Sequence, residues 1–159
     1  AHLAGVAAAH TTLPVLGVCY GHQLLAHALG GTVDWHPQGR EIGTTAIHLT
    51  AAGQQDPLLG TLPVTFAAQV THAQRVNQLP QDAILLASNA YESHHAFRVG
   101  DATWGLQFHP EFSADIMRAY VQQAAGLLQQ EQRDAHALLQ QIAPADANDE
   151  LLRRFVNLL

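Results

Sequence analysis

The residue with the sharpest chemistry in this 159-residue chain is its single cysteine, Cys19. It stands in Gly17-Val18-Cys19-Tyr20-Gly21, a G-x-nucleophile-x-G string. Glycines on both sides leave room for a sharp turn from strand to helix around a strained central residue. That turn lifts the sulfur above the sheet edge and sets it at a helix N-terminus. There the dipole and the unbonded N–H groups favour the thiolate, and the Tyr20 N–H is placed to help hold an oxyanion. A thiolate nucleophile also needs a general acid/base with an orienting partner. His109-Pro110-Glu111 offers both. Pro110 stops the strand at His109, and Glu111 follows two residues on, so its carboxylate fixes one ring nitrogen while the other faces Cys19. Each half has a plain alternative: a small buried cysteine in a tight turn, or a strand-end histidine beside a surface glutamate. Together they point to nucleophilic catalysis.

The elements that must position these groups can be read from periodicity. Pro14-Val15-Leu16-Gly17-Val18 is a short apolar run bounded by Pro and Gly, the pattern of a buried strand. A helix-prone stretch, His22 to Leu29, follows Gly21 and stops at Gly30-Gly31. Further strands are expected at Thr32–Trp35, Gly43–Leu49, Val64–Gln69, Ala83–Ala87, Ala96–Val99 and Thr103–Phe108, with a single helical turn at Asp56-Pro57-Leu58-Leu59. From Ser113 the pattern becomes helical. Ile116, Met117, Tyr120, Val121, Ala124, Leu127 and Leu128 share one face, and further helices are expected at Asp134–Ile142 and Asp149–Leu159. Those faces read as packing surface.

Composition excludes several functions. Charged residues are 13% of the chain, the net charge is -6, and all seven basic residues are Arg. Nucleic acid and anionic membrane surfaces need clustered cations, and only Arg153 and Arg154 are adjacent. No run of about 18 apolar residues is present to span a bilayer. The eleven His are scattered: His94 and His95 would point to opposite faces of a strand, His22 and His27 are spaced wrongly for one helix face, and no H-E-x-x-H occurs. No metal is expected. Gly30-Gly31 and Gly39 lack the G-x-x-x-x-G-K of a phosphate cradle, so no nucleotide cofactor is expected either. Trp35 and Trp104 read as core residues. A lone cysteine forms no internal disulfide, and the opening residues lack a basic, then apolar, leader; the expected compartment is the cytoplasm.

Gly17-x-Cys19-x-Gly21-x-Gln23 followed by His109-Pro110-Glu111 resembles the class I, triad-type glutamine amidotransferases. Arg40-Glu41-Ile42-Gly43 is similar to the R-E-hydrophobic-G stretch of the GMP synthase branch, and Thr71-His72-Ala73-Gln74-Arg75-Val76 to its S/T-H-x-D-x-V segment. Leu79-Pro80 and Leu86-Ala87 fit as well, and Trp104-Gly105-Leu106-Gln107-Phe108-His109-Pro110-Glu111 matches the closing strand. The resemblance covers residues 14–112, and the tail from 113 resembles that of stand-alone, GMP-synthase-like members.

The resemblance implies an α/β fold with a doubly wound, mainly parallel, flavodoxin-like sheet. It implies a core over residues 1–112 that lacks its N-terminal part, and a helical extension over residues 113–159 packed on the same domain. It further implies a glutaminase half-reaction. Cys19 attacks the γ-amide of glutamine, His109 protonates the departing ammonia, and the γ-glutamyl thioester is hydrolysed by water that His109 activates. Glu111 orients His109, Gln23 belongs to the glutamine site, and Thr71 and His72 match a segment whose backbone holds the substrate's α-amino and carboxylate ends. The implied partners are glutamine and a synthase or other acceptor-bearing chain. Gln74 departs from the family's acid at its position. The family's Gly-rich loop, source of a second oxyanion N–H, has no counterpart before Pro14; one such donor is worth about 2.7–4 kcal/mol of barrier. Two other readings keep part of the pattern: a γ-glutamyl hydrolase or peptidase with the same three residues, and a truncated module that acts by packing alone. The segment Tyr91-Glu92-Ser93-His94-His95 reads as a loop near the site, selecting substrate or acceptor, or as a plain exposed loop.

Overall fold

A computed structural model describes residues 13–145 and 147–159. The expectations placed on residues 1–12, including the leader and the upstream loop, lie outside the described residues. In chain order the elements are β1 (Val15–Val18), α1 (Tyr20–Ala28), β2 (Thr32–Trp35), β3 (Glu41–Leu49), α2 (Ala51–Gln54), β4 (Thr65–His72), β5 (Gln74–Gln78), β6 (Ala83–Ser88), β7 (Ala96–Val99) and β8 (Thr103–Leu106). Then come α3 (Ala114–Gln123), α4 (Ala125–Gln130), α5 (Ala135–Gln141) and α6 (Ala147–Asn157).

Six strands form one sheet in the order β1-β8-β7-β6-β3-β4, and β2 pairs with β5 as a separate ribbon. The α/β class with C-terminal helices is the one expected. Its pairing is mixed rather than mainly parallel among the described residues: β1–β8 is parallel, and the other pairs are antiparallel. Connection length explains this. Strands joined by short connections, such as β7 to β8, pair antiparallel, whereas parallel neighbours need a long crossover. The long path from β1 through α1 to β8 is such a crossover. Strand β5 was not expected. Gln74-Arg75-Val76-Asn77-Gln78 is too polar to read as a strand, and it becomes one because β2 lies opposite, with Val33 facing Val76.

The core lies between the sheet and the helices. Phe66, Leu86, Trp104, Leu106 and Phe108 are buried together with Leu151 from α6, and the Phe155 ring meets Trp104 edge-on at 6.3 Å. Met117, Val121 and Leu128 bury against Ile42, while Ile116, Tyr120 and Leu127 of the expected apolar face stay at the surface. That helix also breaks at Ala124, turning α4 away from α3. Ser113 and Asp134 cap α3 and α5 by accepting from Ile116 N–H and from His136 and Ala137 N–H.

Asp56-Pro57-Leu58-Leu59 is a turn built around a buried carboxylate. Asp56 Oδ1 accepts from the Leu58 and Leu59 N–H groups (2.9 and 3.0 Å) and from Trp104 Nε1 (3.1 Å), and Oδ2 accepts from Arg98 Nε at 2.9 Å. Four donors therefore depend on one side chain from three parts of the fold. Asp56→Ala leaves the half-buried Arg98 guanidinium without its carboxylate and a buried indole N–H without an acceptor, and we expect it to lower stability by about 3–5 kcal/mol. Urea unfolding measures this; a loss below about 1 kcal/mol would show that water replaces the carboxylate.

Candidate active site

Cys19 sits between β1 and α1 with φ 50° and ψ -101°, outside the ordinary regions for a residue with a side chain. Backbone bonds hold it there: Cys19 N–H donates to Leu106 O at 2.7 Å, and its carbonyl accepts from Gln23 N–H at 3.2 Å. Gly17 is required by close approach, because a Cβ there would lie 2.5 Å from both Gly21 O and Leu25 Cδ1. The expected steric reason does not extend to Gly21, where an added Cβ meets nothing within 4 Å. Tyr20 is the first residue of α1, so its N–H has no acceptor inside the helix. Its side chain is exposed.

His109 reaches the same place from the far end of β8. Its N–H donates to Gln69 O at 2.8 Å, which ties the segment after β8 to β4. Phe112 stacks on the imidazole at 4.1 Å. His109 Nδ1 lies 2.7 Å from Glu111 Oε1, so the carboxylate accepts the Nδ1 proton. Nε2 is buried without an oxygen or nitrogen partner. Burial by itself lowers the imidazole pKa. Contact with the Cys19 sulfur, and with Glu111 next, outweighs it and raises the value to about 9. An imidazolium beside sulfur, oriented by a carboxylate, is what a thiolate nucleophile requires.

The sulfur has two further neighbours. As a thiol it donates to Thr71 O at 3.7 Å, and the side-chain amide of Gln107 approaches it through Nε2, also at 3.7 Å. Gln107 lies in the closing-strand pattern, which gives it no role. Its type alone carries no signal, since an amide beside a strand is ordinary. Cys19 opens into a cavity of about 280 Å³ lined by Tyr20, Gln23, Trp35, Arg40, Thr71 and the His72–Gln74 segment. The expected site residues Tyr20, Gln23, Thr71 and His72 therefore line one cavity with Cys19, whereas His109 meets the sulfur from outside that lining, with Glu111 on its Nδ1. Trp35 corrects the core reading: it is 68% exposed at the cavity rim, because β2 belongs to a two-stranded ribbon with no layer over that face among the described residues. Trp104 is buried as expected.

Two readings change in detail. Both ring nitrogens of His72 are already engaged, Nε2 2.9 Å from Glu41 Oε2 and Nδ1 2.9 Å from Gln74 O. Only its backbone is left for a ligand. The segment 91–95 is no plain exposed loop, since Glu92 and His95 are buried. Tyr91 stacks on His36 at 4.3 Å and donates its hydroxyl to Gln38 O at 2.6 Å, bracing the loop that leads to Arg40. Burial also holds His22, beneath the turn, uncharged, with its pKa lowered to about 3. Among the described residues, no group of three His, Cys, Asp or Glu is placed to hold a metal ion, and no helix is long and apolar enough to cross a membrane.

The family description "Glutamine amidotransferase class-I" matches residues 3–124. A GMP synthase [glutamine-hydrolyzing] of Thermosipho africanus is 35% identical over 119 residues, covering 71% of this chain and 22% of that protein. Gamma-glutamyl peptidase 3 of Arabidopsis thaliana is 30% identical over 131 residues, covering 79% of this chain and 52% of that protein. Among solved structures, a glutamine amidotransferase of Thermotoga maritima superposes with a TM-score of 0.73 at 25% identity, over 92% of this chain and 62% of that one. The chain thus spans about a fifth of the length of the GMP synthases it matches. With the family match extending over both halves of the Cys19–His109 pair, the chain belongs to the class I glutamine amidotransferases.

Proposed function

We propose that this chain carries the glutamine-hydrolysing half of an amidotransferase. The observation that carries the reading is Cys19 at a strained helix N-terminus, open to a cavity, with His109 behind the sulfur and Glu111 on the other ring nitrogen. Cys19 Sγ attacks the γ-carbonyl carbon of glutamine, and the Tyr20 N–H meets the oxygen as it gains charge. His109 Nε2 gives its proton to the leaving nitrogen, ammonia departs, and a γ-glutamyl thioester remains. His109, now neutral, takes a proton from water, whose oxygen adds to the thioester and releases glutamate.

The cavity wall sets the substrate's orientation. Gln23 Nε2 is engaged by Gln74 O at 2.9 Å and by Gln107 Oε1 at 3.0 Å, so Gln23 Oε1 is the atom left to meet substrate. An amide oxygen accepts, which fits the α-ammonium group. Arg40, at the cavity edge, fits the α-carboxylate, and the Thr71–His72 backbone lies between them. The ammonia acceptor is assigned to a synthase or other acceptor-bearing partner. The cytoplasm is the proposed location, where Cys19 stays reduced.

A second reading, a γ-glutamyl hydrolase or peptidase, is favoured by the open rim at Trp35, which leaves room for a leaving group larger than ammonia, and by the similarity to a plant protein of that name. A third, a non-catalytic packing module, predicts that Cys19→Ala changes nothing.

An electrophilic glutamine analogue is expected to add once to the intact protein, by mass, and not at all to Cys19→Ala. Absence of the adduct with glutamine inert, alongside amine release from a γ-glutamyl amide, would move the assignment to the hydrolase. The raised His109 value fixes the sign of the pH dependence. The imidazolium is retained through neutral pH and lost as pH rises through about 9, so glutaminase activity falls there. Glu111→Gln removes one of the interactions that raise the value, so the falling limb moves to lower pH. An unmoved limb in a pH–rate profile would detach Glu111 from His109. His109→Asn is expected to lower kcat by about 10²–10⁴-fold, read in the same assay.

A further inference from the structure

Behind the cavity wall lies a set of buried polar groups that the reaction as written does not use. Glu41 opens β3 and His72 closes β4, directly opposite in the ladder. Glu41 Oε2 is 2.9 Å from His72 Nε2 and 3.2 Å from His95 Nε2, and Oε1 accepts from Asn89 Nδ2 at 2.8 Å. The two imidazoles are sealed from solvent. Burial alone would raise the Glu41 carboxyl, but the His72 and His95 imidazoles beside it, and then the Asn89 amide, hold it well below the usual carboxylate range.

From the Gln74 carbonyl, which His72 shares, the hydrogen-bond directions follow outward without choice. Gln74 O is a carbonyl and only accepts, so His72 Nδ1 donates to it, and so does the amide nitrogen of Gln23. The same Gln23 nitrogen meets Gln107 at 3.0 Å, so Gln107 must turn its oxygen there. Its own nitrogen is then directed at the Cys19 sulfur. The Gln107 backbone is held from the other side, its N–H donating to His95 O at 2.8 Å. Both ends of Gln107 thus lead back to Glu41, one through His72 and the other through His95.

We propose that Gln107 is an N–H donor to the Cys19 thiolate, and that Glu41, His72 and His95 are positioning residues that orient it. Gln107 is fully buried, so no water competes for its amide. The donor stays with the sulfur through the charged state. The Thr71 carbonyl, by contrast, serves the neutral thiol and repels the thiolate. The proposal rests on Cys19 as nucleophile but not on glutamine as substrate.

The test is carbamidomethylation of Cys19 by iodoacetamide, followed by mass in the intact protein at neutral pH. Gln107→Met removes the donor with little change in volume and is expected to slow alkylation about tenfold. Glu41→Gln is expected to slow it as well, and the double variant to be no slower than Gln107→Met alone, because the clamp acts through that amide. Wild-type rates in Gln107→Met or in Glu41→Gln would overturn the proposal. So would losses that multiply in the double variant, which would make Glu41 a merely structural group. If Glu41→Gln does not fold, Glu41→Asp, which keeps the charge and shortens the reach, takes its place in the cycle. Iodoacetamide needs no glutamine site, so failure here and failure of the glutaminase reading remain distinct.

Discussion

The parallel pairing of β1 with β8 is the constraint on which the site depends. Parallel neighbours end at the same edge of a sheet, so the residues just past Val18 and just past Leu106 emerge side by side. One is Cys19 and the other leads within a few residues to His109. An antiparallel partner would have carried His109 to the opposite edge. The crossover that makes the pairing parallel runs through α1, whose N-terminus supplies unbonded N–H groups to the same spot. A single topological choice thus brings the Cys19 sulfur, the His109 imidazole and the Tyr20 N–H together.

Strain at Cys19 is tolerated because its neighbours leave it no alternative. The peptide is pinned to Leu106 on one side and to the first turn of α1 on the other, while Gly17 lets Gly21 O approach to a distance a side chain would forbid. The resulting φ of 50° exposes the sulfur above the sheet instead of burying it among Leu25 and its neighbours. Stability drawn from the rest of the core is stored here as a poised geometry.

The chain is sparing with charge, and two of its buried carboxylates are closely matched. Asp56 accepts from two backbone amides, an indole and a guanidinium, and Glu41 is met by two imidazoles and an amide. In a low-dielectric interior such groups hold neighbours in one arrangement, because any other leaves a buried charge unpaired. Asp56 fixes the turn after α2 to β7 and β8, which carry the sheet toward His109. Glu41 fixes the β3–β4 edge that forms the cavity wall. Histidine takes three roles according to surroundings: His22 is kept neutral by burial, His72 bridges the Glu41 carboxylate and the Gln74 carbonyl, and His109 is kept protonated by sulfur and carboxylate.

Cys19, His109 and Glu111 were legible in the sequence because their chemistry depends on local pattern: a glycine-flanked turn after an apolar run, and a proline that ends a strand between two polar groups. Most strands and helices were legible for the same reason, since burial of one face imposes a period on the residues that build it. Strand β5 was not, because polar residues become a strand only when a partner such as β2 completes their hydrogen bonds. The exposure of Trp35 was equally hidden, as an aromatic residue joins a core only if a second layer covers it. The contacts of Gln107 and of the Glu41–His72–His95 set lay beyond reach altogether, since a side chain's partners across a sheet carry no trace in its own neighbourhood. Sequence by itself determined which atoms could react. Tertiary structure decided which way each buried amide and imidazole points, because hydrogen-bond direction is dictated by acceptors far away along the chain.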